Sequence, residues 1–287
     1  MARKLIKKKK ANRSVFGDAG VFIFLCLIGA FMVLPLIYVV SNAFKPLDEI
    51  FQFPPRFFVR NPTPDNFSDL FTLMADSWVP FSRYIFNTVF ITAVGTFCHV
   101  IVASLAAFAL EKIDMPGSKG IFKLVVISLM FTGAVTGIPN YLIMANLHLL
   151  DTPYAILLPA IGGTLGLFLM KQFMSSVPDV LMEAATVDGA NRWIIFWKIV
   201  MPQVKPAWLT LVIFVIQNLW NATGGIFIYS EQKKTLPYAL SQILAGGIAR
   251  QGVGSAVALF MLIVPIGTFI LTQSNIIETM ASSGIKE

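Results

Sequence analysis

Residues 183–190 read Glu183-Ala184-Ala185-Thr186-Val187-Asp188-Gly189-Ala190, and Phe196, Ile199 and Pro202 follow. In this run residue type and spacing carry the most chemistry. Val180, Leu181, Ala184, Ala185 and Val187 fall on one face at helical spacing. The two alanines keep that face shallow, so it can approach another surface closely, and Glu183 beside it offers an anionic acceptor. Ser176, with Asp179 three residues on, predicts a capping box that starts a helix near Val177, and Pro178 is tolerated in a first turn. Gly189 ends that helix or permits a sharp bend. Trp193, Phe196, Trp197 and Val200 recur at i, i+3, i+4 and i+7 and predict a second amphipathic stretch, after which Pro202 and Pro206 turn the chain. Two short helices meeting at a bend make a plug for a groove in a soluble partner.

Bond-making chemistry finds little support. The pattern G-x-x-x-x-G-K-[ST] is missing, so the chain cannot bind and hydrolyse ATP by a P-loop and must borrow its energy. Cys26 and Cys98 lie in apolar runs and give neither a disulfide framework nor metal spacing. Other polar groups stand inside apolar stretches. Thr210, Phe214, Gln217 and Asn221 share a stripe, with Asn218 and Trp220 beside it. Amides with aromatics can line a pore, hydrogen-bonding and stacking on sugars; they can equally bond one helix to another. Asn140, after Pro139, marks a kink that serves a gate or is purely structural. His99 is read as pairing with a neighbouring helix in preference to relaying protons.

The elements that must position these residues follow from composition. Hydrophobic residues make up 56% of the 287 and charged residues 13%, against about 25% charged in soluble domains. Mean hydropathy is +0.74. A soluble enzyme and a disordered chain are both excluded, which leaves an all-α, polytopic membrane protein. Six continuous apolar stretches, 19–42, 84–110, 121–145, 153–174, 207–229 and 254–277, are long enough to span a bilayer as helices. The first has a basic front, and Ser41-Asn42-Ala43 imitates a cleavage site, but its apolar core is too long for a signal peptide, so a retained span is expected.

The net charge of +7 is concentrated: seven of the 22 basic residues precede residue 14. That is a topology signal and a lipid-headgroup contact rather than a nucleic-acid site. With the N-terminus inside, 15 basic residues fall inside and seven outside, so both termini are expected in the cytoplasm. The expected organisation is a basic tail over 1–18, a six-helix domain over 19–277 with a cytoplasmic loop at 175–206, and a tail over 278–287. Segment 43–83 reads as an ordered outer lid, 146–152 as a tight outer turn and 230–253 as an outer loop. No Asp, Glu, Lys or Arg sits mid-span, which argues against an ion-coupled carrier.

The run Glu183 to Ala190, with Phe196, Ile199 and Pro202, resembles the EAA motif of binding-protein-dependent ABC importer permeases, and is most similar to the sugar importers, in the subunit type of the second maltose permease subunit. Asn87-Thr88, Ala106-Ala107-Phe108-Ala109-Leu110, Pro116-Gly117, Thr152-Pro153-Tyr154-Ala155, Trp220-Asn221, Thr235-Leu236-Pro237 and Gly284-Ile285-Lys286 extend the resemblance along nearly the whole chain. Met201 departs from the leucine usual before the proline. The resemblance implies a coupling helix that docks in the cleft of a separate ATPase through Glu183, Ala184, Ala185, Asp188, Gly189, Ala190 and Pro202. It implies no cofactor on this chain, with ATP and magnesium on the partner ATPase dimer. It also implies a second homologous permease, an extracytoplasmic sugar-binding protein that the outer loop helps to empty, and a place in the bacterial cytoplasmic membrane. The implied cargo is a carbohydrate, an oligosaccharide. A permease of this kind for phosphate or an amino acid, and a stand-alone carrier, are the alternatives.

Overall fold

The computed structural model describes residues 15–75, 78–247 and 250–283, with side chains described for 16–75, 78–247 and 250–273. Most of the basic tail and residues 284–287 of the C-terminal tail therefore lie outside the described residues. All regular structure among those described is helical. In chain order the elements are α1 (Val15–Ala43), α2 (Leu47–Ile50), α3 (Asp65–Ala75), α4 (Phe81–Lys112), α5 (Ser118–Ser128), α6 (Gly133–Asn146), α7 (Tyr154–Ile161), α8 (Thr164–Met174), α9 (Asp179–Val187), α10 (Arg192–Gln203), α11 (Lys205–Trp220), α12 (Leu236–Leu244) and α13 (Gln251–Ser283).

α4 is the central post. It packs against α7, α8 and α11, and α13 lies along α11 with α1 on its outer side. Its 32 residues give it about 48 Å of length at 1.5 Å per residue, more than a bilayer core needs. Close approach is possible because Gly95 carries no side chain: a Cβ there would stand 2.4 Å from Leu219 Cδ1 and 3.1 Å from Leu157 Cδ2. The α1 span is exposed throughout its most apolar stretch, as a helix facing hydrocarbon can be.

Hydrophobic residues gather at both ends of the post. At one end Val100, Ala107 and Phe108 of α4 meet Met170 and Met174 of α8, Phe196 and Val200 of α10, and Leu211 of α11. At the other, Leu70 and Met74 of α3 meet Leu236, Leu240 and Ile243 of α12 and Val253 and Val257 of α13. Segments 43–83 and 230–253 are thus two parts of one folded cap. The second, expected from sequence as an outer loop, contains a helix, because α12 buries its apolar face there. Polar groups lock the cap: Asn66 Nδ2 donates to the carbonyls of Ala43 (3.0 Å) and Lys45 (2.7 Å), and Glu49 accepts from the amide of Arg60 at 2.7 Å. The cleavage-like tripeptide belongs to this lock, since Ser41 Oγ accepts from the amide of Val59 and Ala43 is fully buried.

Three of the six expected spans are not continuous helices: the fourth divides into α7 and α8 at residues 162–163. The third is broken at residues 129–132, with the axes of α5 and α6 inclined by 111°. The fifth, expected over 207–229, ends at Trp220. Asn221 caps it, and Gly224 and Gly225 adopt φ of +79° and +46°, which a helix cannot continue. Ahead of it, α10 and α11 meet at 80° around Val204.

Candidate functional site

The motif of residues 183–190 forms α9 and the bend after it. Gly189 has φ +81°, its amide bonds the carbonyl of Thr186 at 3.0 Å, and the amide of Ala190 bonds that of Ala185 at 2.9 Å. This pair of bonds around a left-handed glycine is a Schellman stop. Asn191 then caps α10, its Oδ1 accepting from the amide of Ile194 at 2.9 Å. Asp188 is the C-cap of α9, and Pro202 stands at the end of α10 in the short turn before the 80° corner.

The start of the motif differs from expectation. α9 begins at Asp179 and has no side-chain cap; Ser176 Oγ donates instead to the carbonyl of Phe173. Asp179 is engaged by Lys112 from the end of α4. The Lys112 ammonium donates to Asp179 Oδ1 and to the carbonyl of Val177, both at 2.6 Å. The capping box fails because that remote cation takes the carboxylate. Lys112 is a site residue that reasoning on local spacing could not find.

α9 rests on the core through Met182, Ala185 and Ala190. Its outer face shows Val180 (70% exposed), Leu181, Ala184 and Val187 (88% exposed), with Glu183 among them. Glu183 has no hydrogen-bond or ion-pair partner among the described residues. An apolar face with a free carboxylate, held rigid at both ends, can dock in a groove that supplies a cation. α10 departs from the expected face: residues 195–200 form a π-helical turn, which is wider than an α turn. Ile195, Phe196 and Val200 are buried, whereas Trp193 and Trp197 stay exposed.

The polar stripe divides. Asn140 of α6 and Asn218 of α11 line a cavity of about 480 Å³, together with Phe214, Phe227, His99 and the backbone at Gly224 and Gly225. Non-helical chain at membrane depth is tolerated where it borders such a cavity. Gln217 and Asn221 lie outside it; Asn221 Nδ2 donates to the carbonyl of Gln217 at 2.7 Å. Trp220, read from sequence as a pore candidate, is buried, and its Nε1 donates to the carbonyl of Met261 at 3.0 Å. It ties α11 to α13. His99 sits in the break between α7 and α8: its Nδ1 lies 3.0 Å from the carbonyl of Ile161, and its ring fills the space left by Gly163 and Gly166.

At the cap end, Asp151 was missed. It sits in the turn after α6 at φ +57° and accepts from the amides of Tyr229 and Ser230, the Ser230 hydroxyl and the Lys233 ammonium. Burial raises its carboxyl, but these donors outweigh that and hold it at about 2. Asn87 Nδ2 donates to the carbonyls of Gln232 and Lys234, and Thr88 Oγ1 accepts from the amide of Leu236. The Asn87-Thr88 pair therefore clamps the segment that leads into α12.

Among curated proteins, the polygalacturonan/rhamnogalacturonan transport system permease protein YtcP of Bacillus subtilis is 30% identical over 247 residues, 82% of this chain and 80% of that one. The arabinooligosaccharides transport system permease protein AraQ of Halalkalibacterium halodurans is 28% identical over 273 residues, covering 92% and 94%. A crystal structure of a bacterial ABC transporter involved in the import of the acidic polysaccharide alginate superposes with a TM-score of 0.77 at 22% identity, over 92% of this chain and 99% of its counterpart. That likeness carries the fold. With residues 20–279 matching its sequence pattern, the chain belongs to the family described as the binding-protein-dependent transport system inner membrane component.

Proposed function

We propose that this membrane-integral chain imports a carbohydrate, an oligosaccharide, as one permease of an ATP-driven importer, and that α9 is where the energy enters. The carrying observation is the outward apolar face of α9 around the free Glu183, fixed by Lys112 on one side and the Gly189 stop on the other. A permease without its own P-loop needs such a surface. ATP and magnesium then belong to an ATPase dimer that receives α9, and a second, similar permease completes the pathway. Relatives named for polygalacturonan, rhamnogalacturonan and arabinooligosaccharides support a glycan cargo.

The two ends of the molecule have opposite roles in this reading. The cap of segments 43–83 and 230–253 faces the extracytoplasmic binding protein, and the α9–α10 corner faces the cytoplasm. The positive-inside bias of 15 to seven supports that orientation in the bacterial cytoplasmic membrane, with both termini inside. Co-purification from native membranes, followed by uptake of labelled oligosaccharides into proteoliposomes, tests the reading. The expected outcome is a second permease and an ATPase in the complex, and uptake that needs ATP and the binding protein. Isolation of the chain alone with full transport activity would overturn it.

A further inference from the structure

We infer that the α6–α11 cavity is a glycan subsite carried by this chain itself, and that it takes neutral sugar rings and rejects uronates; the inference rests on the carbohydrate reading above. Its volume of about 480 Å³ lies within the ~300–1,000 Å³ of small-molecule sites. Asn140 and Asn218 line it from two different helices, and neither amide has a hydrogen-bond partner among the described residues. Each amide offers donors and an acceptor, the complement of vicinal hydroxyls. Phe214 and Phe227 supply apolar ring faces for the C–H face of a pyranose, and the lining as a whole is more apolar than polar.

The charge pattern gives the specificity. Among the described residues that line the cavity there is no Lys, Arg, Asp or Glu. A carbonyl can only accept, so the His99 Nδ1 in contact with the carbonyl of Ile161 is the donor of that pair. A carboxylate entering this wall would lose water and gain no counter-charge, whereas a hydroxyl loses little and finds an amide. The cavity is therefore matched to neutral glycans, although relatives of this fold serve acidic ones.

The test uses the purified complex without its binding protein, so that the binding protein's selection does not enter. Saturation-transfer NMR is recorded with neutral trisaccharides of glucose, galactose, mannose and arabinose, and separately with trigalacturonate and trimannuronate. At least one neutral trisaccharide is expected to bind, at least tenfold tighter than either uronate. The Asn140→Ala/Asn218→Ala double variant should weaken it fivefold or more with the melting temperature unchanged. Asn218→Arg should narrow the neutral-to-uronate ratio. Equal or tighter uronate binding, neutral binding that survives the double alanine change, or no glycan binding at all would overturn the subsite. Proteoliposome uptake of glycans by the same complex, now supplied with ATP and its binding protein, separates the two levels: uptake with a failed subsite leaves the carbohydrate reading standing, and its loss for every glycan removes both.

Discussion

Lys112, the last residue of α4, reaches across 67 positions of sequence to Asp179, the first residue of α9, at 2.6 Å. The lysine side chain is almost wholly buried and the aspartate is 71% exposed. The two halves of the pair are therefore unequal. Changing Asp179 to asparagine keeps an acceptor oxygen for the buried Lys112 ammonium and removes charge only on the exposed side of the pair, where it is worth about 0–1 kcal/mol. Removing Lys112 also strips the carbonyl of Val177 of its donor, at about 1–3 kcal/mol. Lys112→Met should reduce uptake per ATP hydrolysed, with a lowered melting temperature, and Asp179→Asn should do much less. Equal effects in a paired coupling and melting assay would contradict this arrangement.

Glu183 and Gly189 make a second pair of expectations. No span contains either residue, so membrane insertion should survive Glu183→Ala, Glu183→Lys and Gly189→Val. If Glu183 meets a cation in the partner groove, its loss costs about 2–5 kcal/mol of docking, much of it from the stranded partner charge. Lysine should be worse than alanine, and a charge-reversed residue in the ATPase groove should partly restore it. At Gly189 a Cβ would meet nothing within 4 Å, so the cost is conformational: about 1–2 kcal/mol for leaving glycine at φ +81°. Sugar-stimulated ATP hydrolysis is the readout, and full coupling in the Glu183→Lys complex would reduce α9 to a linker.

How far the sequence reached depends on how local each signal is. The Gly189 bend was legible because a left-handed stop is encoded by the glycine itself. The capping box at Ser176 was not, because Lys112 lies far off in sequence and claims Asp179. The face of Trp193 and Trp197 was misjudged because periodicity assumes an α turn, and residues 195–200 widen it. Hydropathy carried the fifth span to residue 229, since Ile226, Phe227 and Ile228 are apolar whether helical or not; the positive φ at Gly224 and Gly225 decides the break. Spacing sets Asn218 and Trp220 side by side next to the polar stripe, yet Asn218 faces the cavity while Trp220 ties α11 to α13.

Asp151 gives the cap a pH limit. Its carboxyl lies at about 2 when folded, below the ordinary 3.8. A depressed carboxylate contributes stability that is present above its unfolded value and lost as pH falls through the folded one. Amide protection at Tyr229 and Ser230 should therefore hold at pH 5 and fall between about pH 4 and pH 2. Asp151→Asn should lose protection at neutral pH and flatten that response. An unchanged acid profile in hydrogen exchange of the variant would show that another group sets the limit.

The last expectation concerns Gly166 and His99, which occupy one space. A Cβ at position 166 would stand 2.1 Å from His99 Nε2, and one at position 163 would stand 2.9 Å from Cε1. The ring is at the end of its side chain, but it cannot swing aside freely. It is buried, and its Nδ1 is held by the carbonyl of Ile161 at the break between α7 and α8. Gly166→Ala should therefore either break that bond or push α8 off α4, at a cost of about 1–3 kcal/mol as for overpacking elsewhere. His99→Ala alone should also destabilise, by leaving the carbonyl unpaired and a void beside two glycines. In the double variant the new methyl occupies part of that void, so the two costs should not add. A melting-temperature cycle on the purified complex measures the coupling, expected at about 0.5–3 kcal/mol for residues in direct contact. Strict additivity would mean that His99 does not hold the α7–α8 break.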